Sequence, residues 1–264
     1  MIRIAVNGAC GRMAMRVTQL ALEDPEFQVV CAMERPGHPS LGKDIGILAG
    51  KEAIGIALTS SSLTGRPQVL IDFSEPKSSL ERAREAANLG AALLIGTTGF
   101  TEEQKKDLQA IARRAACLVS PNMSVGVNLL FNLVGKVAKA LGDEYDIEIV
   151  EVHHRFKKDA PSGTALRLAE KIAEATGRNL AGDAVYGRHG LVGERKKNEI
   201  GIHAVRAGDA VGDHTVIFSC LGERIELVHR ATARDAFARG ALRAAKFLAG
   251  RPPGFYQATE ALGV

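Results

Sequence analysis

The sequence Ile2-Arg-Ile-Ala-Val-Asn-Gly-Ala-Cys-Gly-Arg-Met13 decides the fold. It begins with a short apolar run typical of a buried strand, and Gly8 and Gly11 follow where the chain turns into a helix. Glycines permit such a tight turn and let the backbone approach a pyrophosphate at the helix N-terminus. The Gly-x-x-Gly pattern lacks the third glycine of the full fingerprint, so a ligand-free strand-to-helix turn is the alternative interpretation of this stretch alone.

Apolar runs and helical patterns alternate through the first 120 residues. The predicted strands are Ile2–Val6, Gln28–Met33, Val69–Phe73, Ala92–Ile95 and Cys117–Val119, and the predicted helices are Arg12–Leu22, Pro76–Asn88 and Glu102–Ala115. The strands are continuously apolar, as in parallel sheets that are buried on both faces. Alternation of strand and helix predicts an α/β fold, a doubly wound parallel sheet of the Rossmann type.

The pattern changes after Asn122. Helices are predicted at Val125–Leu141, Ala165–Ala175 and Ala236–Leu248, and strands at Asp146–Val152, Ile200–Arg206, Thr215–Cys220 and Arg224–His229. Leu221-Gly-Glu223 is a hairpin signal, and we interpret Gly208–Asp213 as a second hairpin turn. These elements predict an α+β domain with a mostly antiparallel or mixed sheet. We expect one domain from residues 1–124, to which 235–264 return, and another from residues 125–234.

Composition narrows the class of protein. The 264 residues are 46% hydrophobic and 24% charged, and their 28 glycines suit a ligand-binding α/β protein with many tight turns. A net charge of +4 is weak support for nucleic-acid binding. The four cysteines form no Cys-x-x-Cys pair, which disfavours a zinc site or a disulfide framework. No apolar run approaches the roughly 18 residues of a membrane span. We therefore expect a cytoplasmic protein without a membrane, nucleic-acid or metal partner.

Several polar or glycine-containing segments follow the predicted strands of the first domain. Because ligands bind at the carboxyl ends of strands in open α/β sheets, these segments are candidate nucleotide-binding residues. Glu34, after the second strand, is placed to bind a ribose diol, whereas the adjacent Arg35 suits a 2′-phosphate; a surface Glu–Arg pair is the alternative. The complete candidate set is Gly8, Ala9, Cys10, Gly11, Arg12, Met13, Glu34, Arg35, Gly96, Thr97, Thr98, Ser120, Pro121, Asn122 and Met123.

A second candidate site lies in Glu151-Val-His-His-Arg-Phe-Lys-Lys-Asp-Ala-Pro-Ser-Gly-Thr-Ala-Leu166. The adjacent histidines His153 and His154 point to opposite faces of a strand, so at least one faces a cleft or solvent. Ser162-Gly163-Thr164 opens a helix, whose N-terminus attracts carboxylates or phosphates. The alternative for Arg155, Lys157 and Lys158 taken alone is a solvated basic loop. Together the segment predicts a site that both holds and protonates an acidic small molecule.

At this point the residues resemble a known family, 4-hydroxy-tetrahydrodipicolinate reductase, also called dihydrodipicolinate reductase. The resemblance spans essentially the whole chain. Its motifs here are Gly8-Ala-Cys-Gly-Arg-Met13, Asp72-Phe-Ser74, Gly96-Thr-Thr-Gly99, Ser120-Pro-Asn-Met-Ser-Val-Gly-Val-Asn128, Glu151-Val-His-His-Arg155, Lys157, Asp159-Ala-Pro-Ser-Gly-Thr-Ala-Leu166 and Gly201-Ile-His-Ala-Val-Arg-Ala-Gly-Asp209.

The resemblance implies an enzyme of lysine and diaminopimelate biosynthesis, a homotetramer that uses NADH or NADPH to reduce a cyclic dicarboxylic imine to tetrahydrodipicolinate. It implies His153 as the general acid and Lys157 as a further proton donor or orienting group. It also implies that His154, Gly163 and Thr164 hold the substrate carboxylates. Three residues depart from the family pattern: Cys10 and Ala14 stand where glycine is frequent, and Met123 where an aromatic residue is frequent.

Three other functions stay open at this point. A related reductase acting on an aspartate-derived aldehyde would share the first half of the chain but would not require the histidine pair with Ser162-Gly163-Thr164. A non-catalytic NAD(H)-sensing regulator would need a DNA-binding module, and no helix-turn-helix pattern is apparent. A pure interaction protein would not require so many glycines at strand ends.

Overall fold

The structure, a computed structural model, describes residues 1–264 and divides into two compact units. The first unit comprises Met1–Val125 and Arg234–Val264, and the second comprises Gly126–Ala233. The helices are α1 Arg12–Glu23, α2 Ile45–Leu48, α3 Pro76–Asn88, α4 Glu102–Ala112, α5 Val125–Leu141, α6 Gly163–Thr176, α7 Leu180–Asp183, α8 Asp235–Leu248 and α9 Ala258–Leu262. The strands are β1 Ile2–Asn7, β2 Phe27–Met33, β3 Val69–Asp72, β4 Ala92–Ile95, β5 Ala116–Val119, β6 Asp146–His153, β7 Ala184–Tyr186, β8 Ile200–Arg206, β9 Gly212–Cys220, β10 Glu223–Ala231 and β11 Gly254–Tyr256.

The first unit contains a six-stranded parallel sheet in the order β11-β5-β4-β3-β1-β2. Every residue of β3 and β4 is buried, which explains why these strands are continuously apolar. Alternate residues of the sheet pack into two separate hydrophobic clusters, one with α1 and α8 and the other with α3 and α4. The predicted Rossmann-type sheet is therefore confirmed.

The second unit contains a five-stranded mixed sheet in the order β10-β9-β6-β8-β7. Its central strand β6 pairs with β8 in parallel and with β9 in antiparallel orientation. One face, called the inner face here, packs against α5 and α6, and it includes Ile147 and Ile149 of β6. The opposite, outer face carries Glu148 and Val150. The predicted mixed sheet is confirmed, as is the β9–β10 hairpin, in which Cys220 pairs with Glu223 across Leu221 and Gly222.

The interpretation of Gly208–Asp213 as a hairpin turn is wrong. This segment joins β8 to β9, but these strands lie on opposite sides of β6 and do not pair with each other. Turn residues in the sequence indicate that the chain reverses direction, but they do not indicate which strands become neighbours. The sequence of this segment therefore could not show that β6 lies between β8 and β9.

Helix α5 corrects a second expectation. The sequence contains no unbroken apolar run of the length of a membrane span. By length and composition, however, the segment Val125–Glu144 is long and apolar enough to cross a membrane. Within the second unit, the helix contributes Val127, Leu130 and Val134 to the hydrophobic core. A core helix passes the same test of length and hydropathy, so this one segment is weak support for a membrane span.

Candidate active site

The carboxyl edge of the parallel sheet brings together segments that are far apart in the sequence. Strands β1, β3, β4 and β5 run in the same direction, so the residues that follow them lie along one edge. These are the glycine turn after Asn7, Phe73-Ser74, Gly96-Thr97 and Ser120-Pro121. The predicted nucleotide-binding segments therefore share one edge of the first unit.

The glycine turn is tight because it lies against the end of β3. Gly8 has a φ of +70°, and a Cβ atom there would lie 2.5 Å from the Phe73 carbonyl oxygen. Ala9 N–H donates to the Met33 carbonyl oxygen, and Gly11 N–H donates to the Gly8 carbonyl oxygen. No residue other than glycine fits at position 8 without moving the backbone.

Helix α1 begins with backbone donors that point out of the turn. The N-cap residue Gly11 supplies no side-chain acceptor, and the first turn contains no acidic residue. The N–H groups of Arg12 and Met13 therefore have no intrahelical or capping partner. Together with the helix dipole, they form a receptor for a phosphate.

Glu34 contacts this turn, and both line a cavity of about 380 Å³. Its carboxylate accepts hydrogen bonds from Cys10 N–H at 3.0 Å and from Arg35 N–H at 3.0 Å. Arg35 is exposed. Burial, and secondarily the Glu34 charge, raise the pKa of the Cys10 thiol. His38 also lines the cavity and was missed by sequence reasoning, which examined only the two residues directly after the strand.

Behind the edge, a buried carboxylate fixes the strand ends. Asp72 is fully buried and accepts hydrogen bonds from Asn7 Nδ2 at 3.1 Å, Ser74 Oγ at 2.6 Å and Thr97 Oγ1 at 3.3 Å. Burial raises the pKa of Asp72 despite these donors. Thr97 also accepts from Ser74 N–H at 2.8 Å, so its side chain is an internal anchor. Asn7 and Asp72 therefore hold the ends of the strands together through buried hydrogen bonds. Their positions in the strands alone did not indicate this role.

The other predicted nucleotide-binding residues, at the ends of β4 and β5, offer a ligand their backbone groups more than their side chains. A Cβ atom at Gly96 would lie 2.1 Å from the Phe73 ring, whereas Thr98 is exposed. Ser120 Oγ donates to the Asn122 carbonyl oxygen at 2.8 Å, and Pro121 is exposed. The Met123 side chain is 2% exposed and packs in the hydrophobic core. At position 123, only the backbone is available to a ligand.

The second unit holds the other candidate residues at the end of β6. The His153 ring is half-buried, and its Nδ1 is bonded to Glu151. His154 follows the last residue of β6 and has a buried Nδ1 without a hydrogen-bond partner. The Lys157 ammonium lies 2.9 Å from Asp159 Oδ2, while Arg155 and Lys158 are exposed. Because β6 ends at His153, the expectation that strand alternation separates the two histidines does not apply to His154.

Helix α6 begins beside these residues. Ser162 is its N-cap, and Ser162 Oγ accepts from Ala165 N–H at 3.2 Å. No acidic residue occupies the first turn, Gly163 is exposed, and no atom lies within 4 Å of the position a Cβ would take there. Thr164 is half-buried. The first turn of α6 is therefore open and electropositive, which suits a carboxylate.

Sequence reasoning assigned no role to three inner-face residues, Glu151, Arg206 and His214. All three converge on His153 or on its hydrogen-bond partners. The spacing of Glu151 and His153, two apart on a strand, placed them on one face and was the available signal. Arg206 and His214 come from β8 and β9, whose pairing with β6 could not be read locally. No group of three or more metal-ligating side chains occurs in the structure.

A parallel sheet with a glycine turn before its first helix, followed in the chain by a mixed-sheet unit that carries the histidine pair, defines a two-unit protein of the Rossmann class. Two family models match the chain: dihydrodipicolinate reductase N-terminus over residues 2–123 and C-terminus over residues 126–262. The chain therefore belongs to the dihydrodipicolinate reductase family, and it is an oxidoreductase of lysine and diaminopimelate biosynthesis.

Curated relatives match over the full length. The chain is 49% identical to 4-hydroxy-tetrahydrodipicolinate reductase of Anaeromyxobacter dehalogenans over 267 residues, covering 100% of this chain and 98% of the relative. It is 48% identical to the enzyme of the same name from Syntrophobacter fumaroxidans over 266 residues, covering 100% of both.

A solved structure supports the fold independently. The dipicolinate-bound dihydrodipicolinate reductase from Paenisporosarcina sp. TG-14 superposes with a TM-score of 0.77 at 24% identity, covering 98% of each chain. This likeness confirms the arrangement of a Rossmann-type sheet followed by a mixed-sheet unit.

Proposed function

We propose that this chain reduces 4-hydroxy-tetrahydrodipicolinate to tetrahydrodipicolinate with NADH or NADPH. In the balanced reaction, one substrate, one reduced dinucleotide and one proton give tetrahydrodipicolinate, the oxidised dinucleotide and water. The observation that carries the proposal is the juxtaposition of His153, Lys157 and the open N-terminus of α6 in one unit. The full-length identity to reductases of that name supports it.

The first unit fits a dinucleotide. A Cβ atom at Gly8 would close the turn, and the donors of Arg12 and Met13 are available to a pyrophosphate. We assign Glu34 to the ribose diol and Arg35 to the 2′-phosphate of NADPH, because both line the cavity beside the glycine turn. We assign backbone contacts with the nicotinamide to residues 96–98 and 120–123. When bound, the nicotinamide supplies the hydride.

The second unit fits a dicarboxylate and an acid. The N–H groups of Gly163 and Thr164 hold one carboxylate, and His154 and Lys157 neutralise the negative charge of the substrate. His153 donates the proton to the substrate atom that becomes negatively charged after hydride addition. The chain thereby binds, orients and protonates a substrate whose reduction needs both a hydride and a proton.

The outer face of the second sheet supports assembly of copies. Val205 and Val228 are 41% and 46% exposed there, and Val150, Val152 and Ile217 are half-buried beside them. Exposed apolar side chains on one sheet face are typical of subunit contacts. They support the homotetramer that the family resemblance implies, and we propose that assembly, in the cytoplasm; light scattering after size exclusion measures its mass.

Coupled oxidation of NADH and NADPH with enzymatically generated 4-hydroxy-tetrahydrodipicolinate tests the function. We expect oxidation that depends on the substrate, and no oxidation with either dinucleotide would refute the proposal.

Lys157→Ala should both raise KM and lower kcat, because the ammonium acts in binding and in charge neutralisation. Exposed Lys158→Ala serves as the matched control and should change neither by more than about twofold.

Cofactor choice is tested by Glu34→Ala. Loss of the carboxylate should weaken NADH binding more than NADPH binding, since NADPH keeps its contact with Arg35. Fluorescence titration of each dinucleotide measures the two Kd values. Equal losses would contradict the assignment of Glu34 to the ribose diol.

A further inference from the structure

The carboxylate of Glu151 is the centre of a buried cluster beneath His153. Glu151 is 0% exposed, and both of its oxygens are saturated with donors. Oε1 accepts from Ser162 N–H at 3.1 Å and from Arg206 Nη2 at 2.9 Å. Oε2 accepts from Arg206 Nη1 at 2.9 Å and is bonded to His153 Nδ1. A carboxylate so arranged cannot rotate away from the histidine without giving up several hydrogen bonds.

These contacts fix which nitrogen of His153 carries a proton. Burial opposes ionisation of Glu151, but the hydrogen bonds from Arg206 and His153 outweigh it and hold the pKa of Glu151 below its ordinary value. An ionised carboxylate can only accept hydrogen bonds, so Nδ1 of His153 must be the donor. The atom that gains or loses a proton is then Nε2.

Glycine at position 212 keeps a side chain away from Nε2. A Cβ atom there would lie 3.1 Å from His153 Nε2, which is tighter than an ordinary contact. The His214 ring also packs edge-on against His153, with its centroid 5.2 Å away. Since Nδ1 is bonded to Glu151, Nε2 is the nitrogen that we assign to the substrate.

We propose that Glu151 and Arg206 are positioning residues for His153. The Glu151 carboxylate orients the imidazole ring with a proton on Nδ1, and the Arg206 guanidinium holds that carboxylate in place. Nε2 of His153 then exchanges the proton with the substrate. The inference rests on the proposed function, in which His153 is the acid. In the step itself, the imidazolium Nε2–H bond breaks, the proton bonds to the reduced substrate, and the neutral Nδ1–H imidazole stays bonded to Glu151.

The charges around His153 act in opposite directions. Glu151 on β6 favours the imidazolium, whereas Lys157 in the following loop and Arg206 on β8 disfavour it; burial is the largest influence and lowers the pKa of His153. On β9, burial lowers the pKa of His214 to about 3, so this neighbour is neutral at the working pH.

Two more titratable groups belong to this environment. Asp159 pairs with Lys157, and its backbone carbonyl oxygen accepts from Arg206. His229 of β10 is paired in register with His214, and burial lowers its pKa. Among the charged groups that act on the His153 ring, Glu151 favours the imidazolium, whereas Lys157 and then Arg206 disfavour it, so removal of Glu151 and removal of Arg206 should shift its titration in opposite directions.

The pH dependence of kcat/KM for Glu151→Gln and Arg206→Gln tests the proposal. Removing the carboxylate should lower the pKa of His153 by about one unit, which at neutral pH is roughly a tenfold loss of the imidazolium. Removing the guanidinium should raise it by a smaller amount, because Arg206 acts on the ring only through its charge. Shifts in the same direction, or none, would overturn the proposal. Binding of dipicolinate by calorimetry checks that each variant keeps a folded site.

Glu148→Gln is the matched control, because Glu148 lies on the same strand and also bonds arginines and a histidine, but on the outer face. It should leave the titration of His153 unchanged, and a shift equal to that of Glu151→Gln would count against the specific role. Nitrogen-15 NMR of His153 in the unaltered protein provides a test that needs no variant, substrate or dinucleotide. A neutral ring protonated on Nδ1 supports the proposal, and one protonated on Nε2 overturns it, whether or not reductase activity is found.

Discussion

Strand β6 carries two carboxylates, Glu148 and Glu151, that have similar partners and different roles. Three residues apart, they point to opposite faces of the sheet. Glu148 bonds Arg188, Arg195 and His203, and Glu151 bonds Arg206, His153 and the backbone of Ser162. Carboxylate, arginine and histidine thus occur together twice, on the two sides of one strand.

The difference lies in what surrounds each histidine. Arg188 and Arg195 belong to the segment between β7 and β8, so the outer cluster ties that segment to the sheet. In the inner cluster, His153 faces the space left by Gly212, beside the first turn of α6. The residue types alone therefore do not distinguish a structural cluster from a catalytic one; the open space and the helix terminus do.

The largest expected effect is a difference in reductase activity between a variant of His153 and a variant of His203. His153→Gln should lower kcat by about 10³-fold, because a general acid contributes roughly 10² to 10⁴. His203→Gln should change kcat by less than about threefold, since what it loses is a hydrogen bond with Glu148 on the outer face. Steady-state oxidation of the reduced dinucleotide measures both. Similar losses in the two variants would remove the functional distinction between the faces.

The next effect concerns stability. Glu151→Ala should lower the free energy of unfolding by about 3 kcal/mol, because it leaves the Arg206 guanidinium without its buried counter-ion. Glu148→Ala should lower it by about 1 kcal/mol, since Arg188 keeps Glu199 and Arg195 keeps Asp146. Urea denaturation followed by circular dichroism gives both values. The reverse order would show that the outer cluster is the main structural one.

The smallest expected effect is a pH dependence of the stability that the outer cluster around Glu148 contributes. Burial opposes ionisation of Glu148, but Arg188, His203 and Arg195 together lower its pKa to about 2. A carboxylate whose folded pKa lies below the unfolded value of about 4.3 stabilises the fold above that value. The stabilisation is lost as pH falls from about 4 to 2. Glu148→Gln should therefore be less stable than the unaltered protein by about 1 kcal/mol at pH 7, and the difference should disappear towards pH 2. Melting temperatures between these pH values measure it, and a constant difference would contradict the assignment.

Much of the first unit could be predicted because its signals are local. Pro76–Asn88 and Ala92–Ile95 occur as predicted, and the Thr101–Gln104 capping box forms with hydrogen bonds of 2.9 and 3.2 Å. Caps, apolar runs and glycine turns depend on neighbours in the sequence. The short elements α2, α7, α9, β7 and β11 were not predicted, since three to five residues provide too little periodicity to identify them.

The candidate active-site residues divide in the same way. His153, Lys157 and Gly163 lie in one continuous segment, so the sequence could indicate them together. Arg206 and His214 reach His153 only because β8 and β9 flank β6, and no local pattern reports that pairing. For the same reason the segment from Gly208 to Asp213 was interpreted wrongly. Long-range strand order was therefore the missing information for both fold and site.

The first unit is assembled from two stretches of chain that are synthesised at different times. Helix α8 packs so closely on the first stretch that a Cβ atom at Gly240 would come within 1.7 Å of the Met123 carbonyl oxygen, and β11 pairs with β5. Until residues 234–264 leave the ribosome, α1 alone covers one apolar side of the nascent sheet, and β5 is an unpaired edge strand. The second unit, which is continuous, can be complete by then. The growing polypeptide is therefore most prone to aggregation just before its final helices emerge.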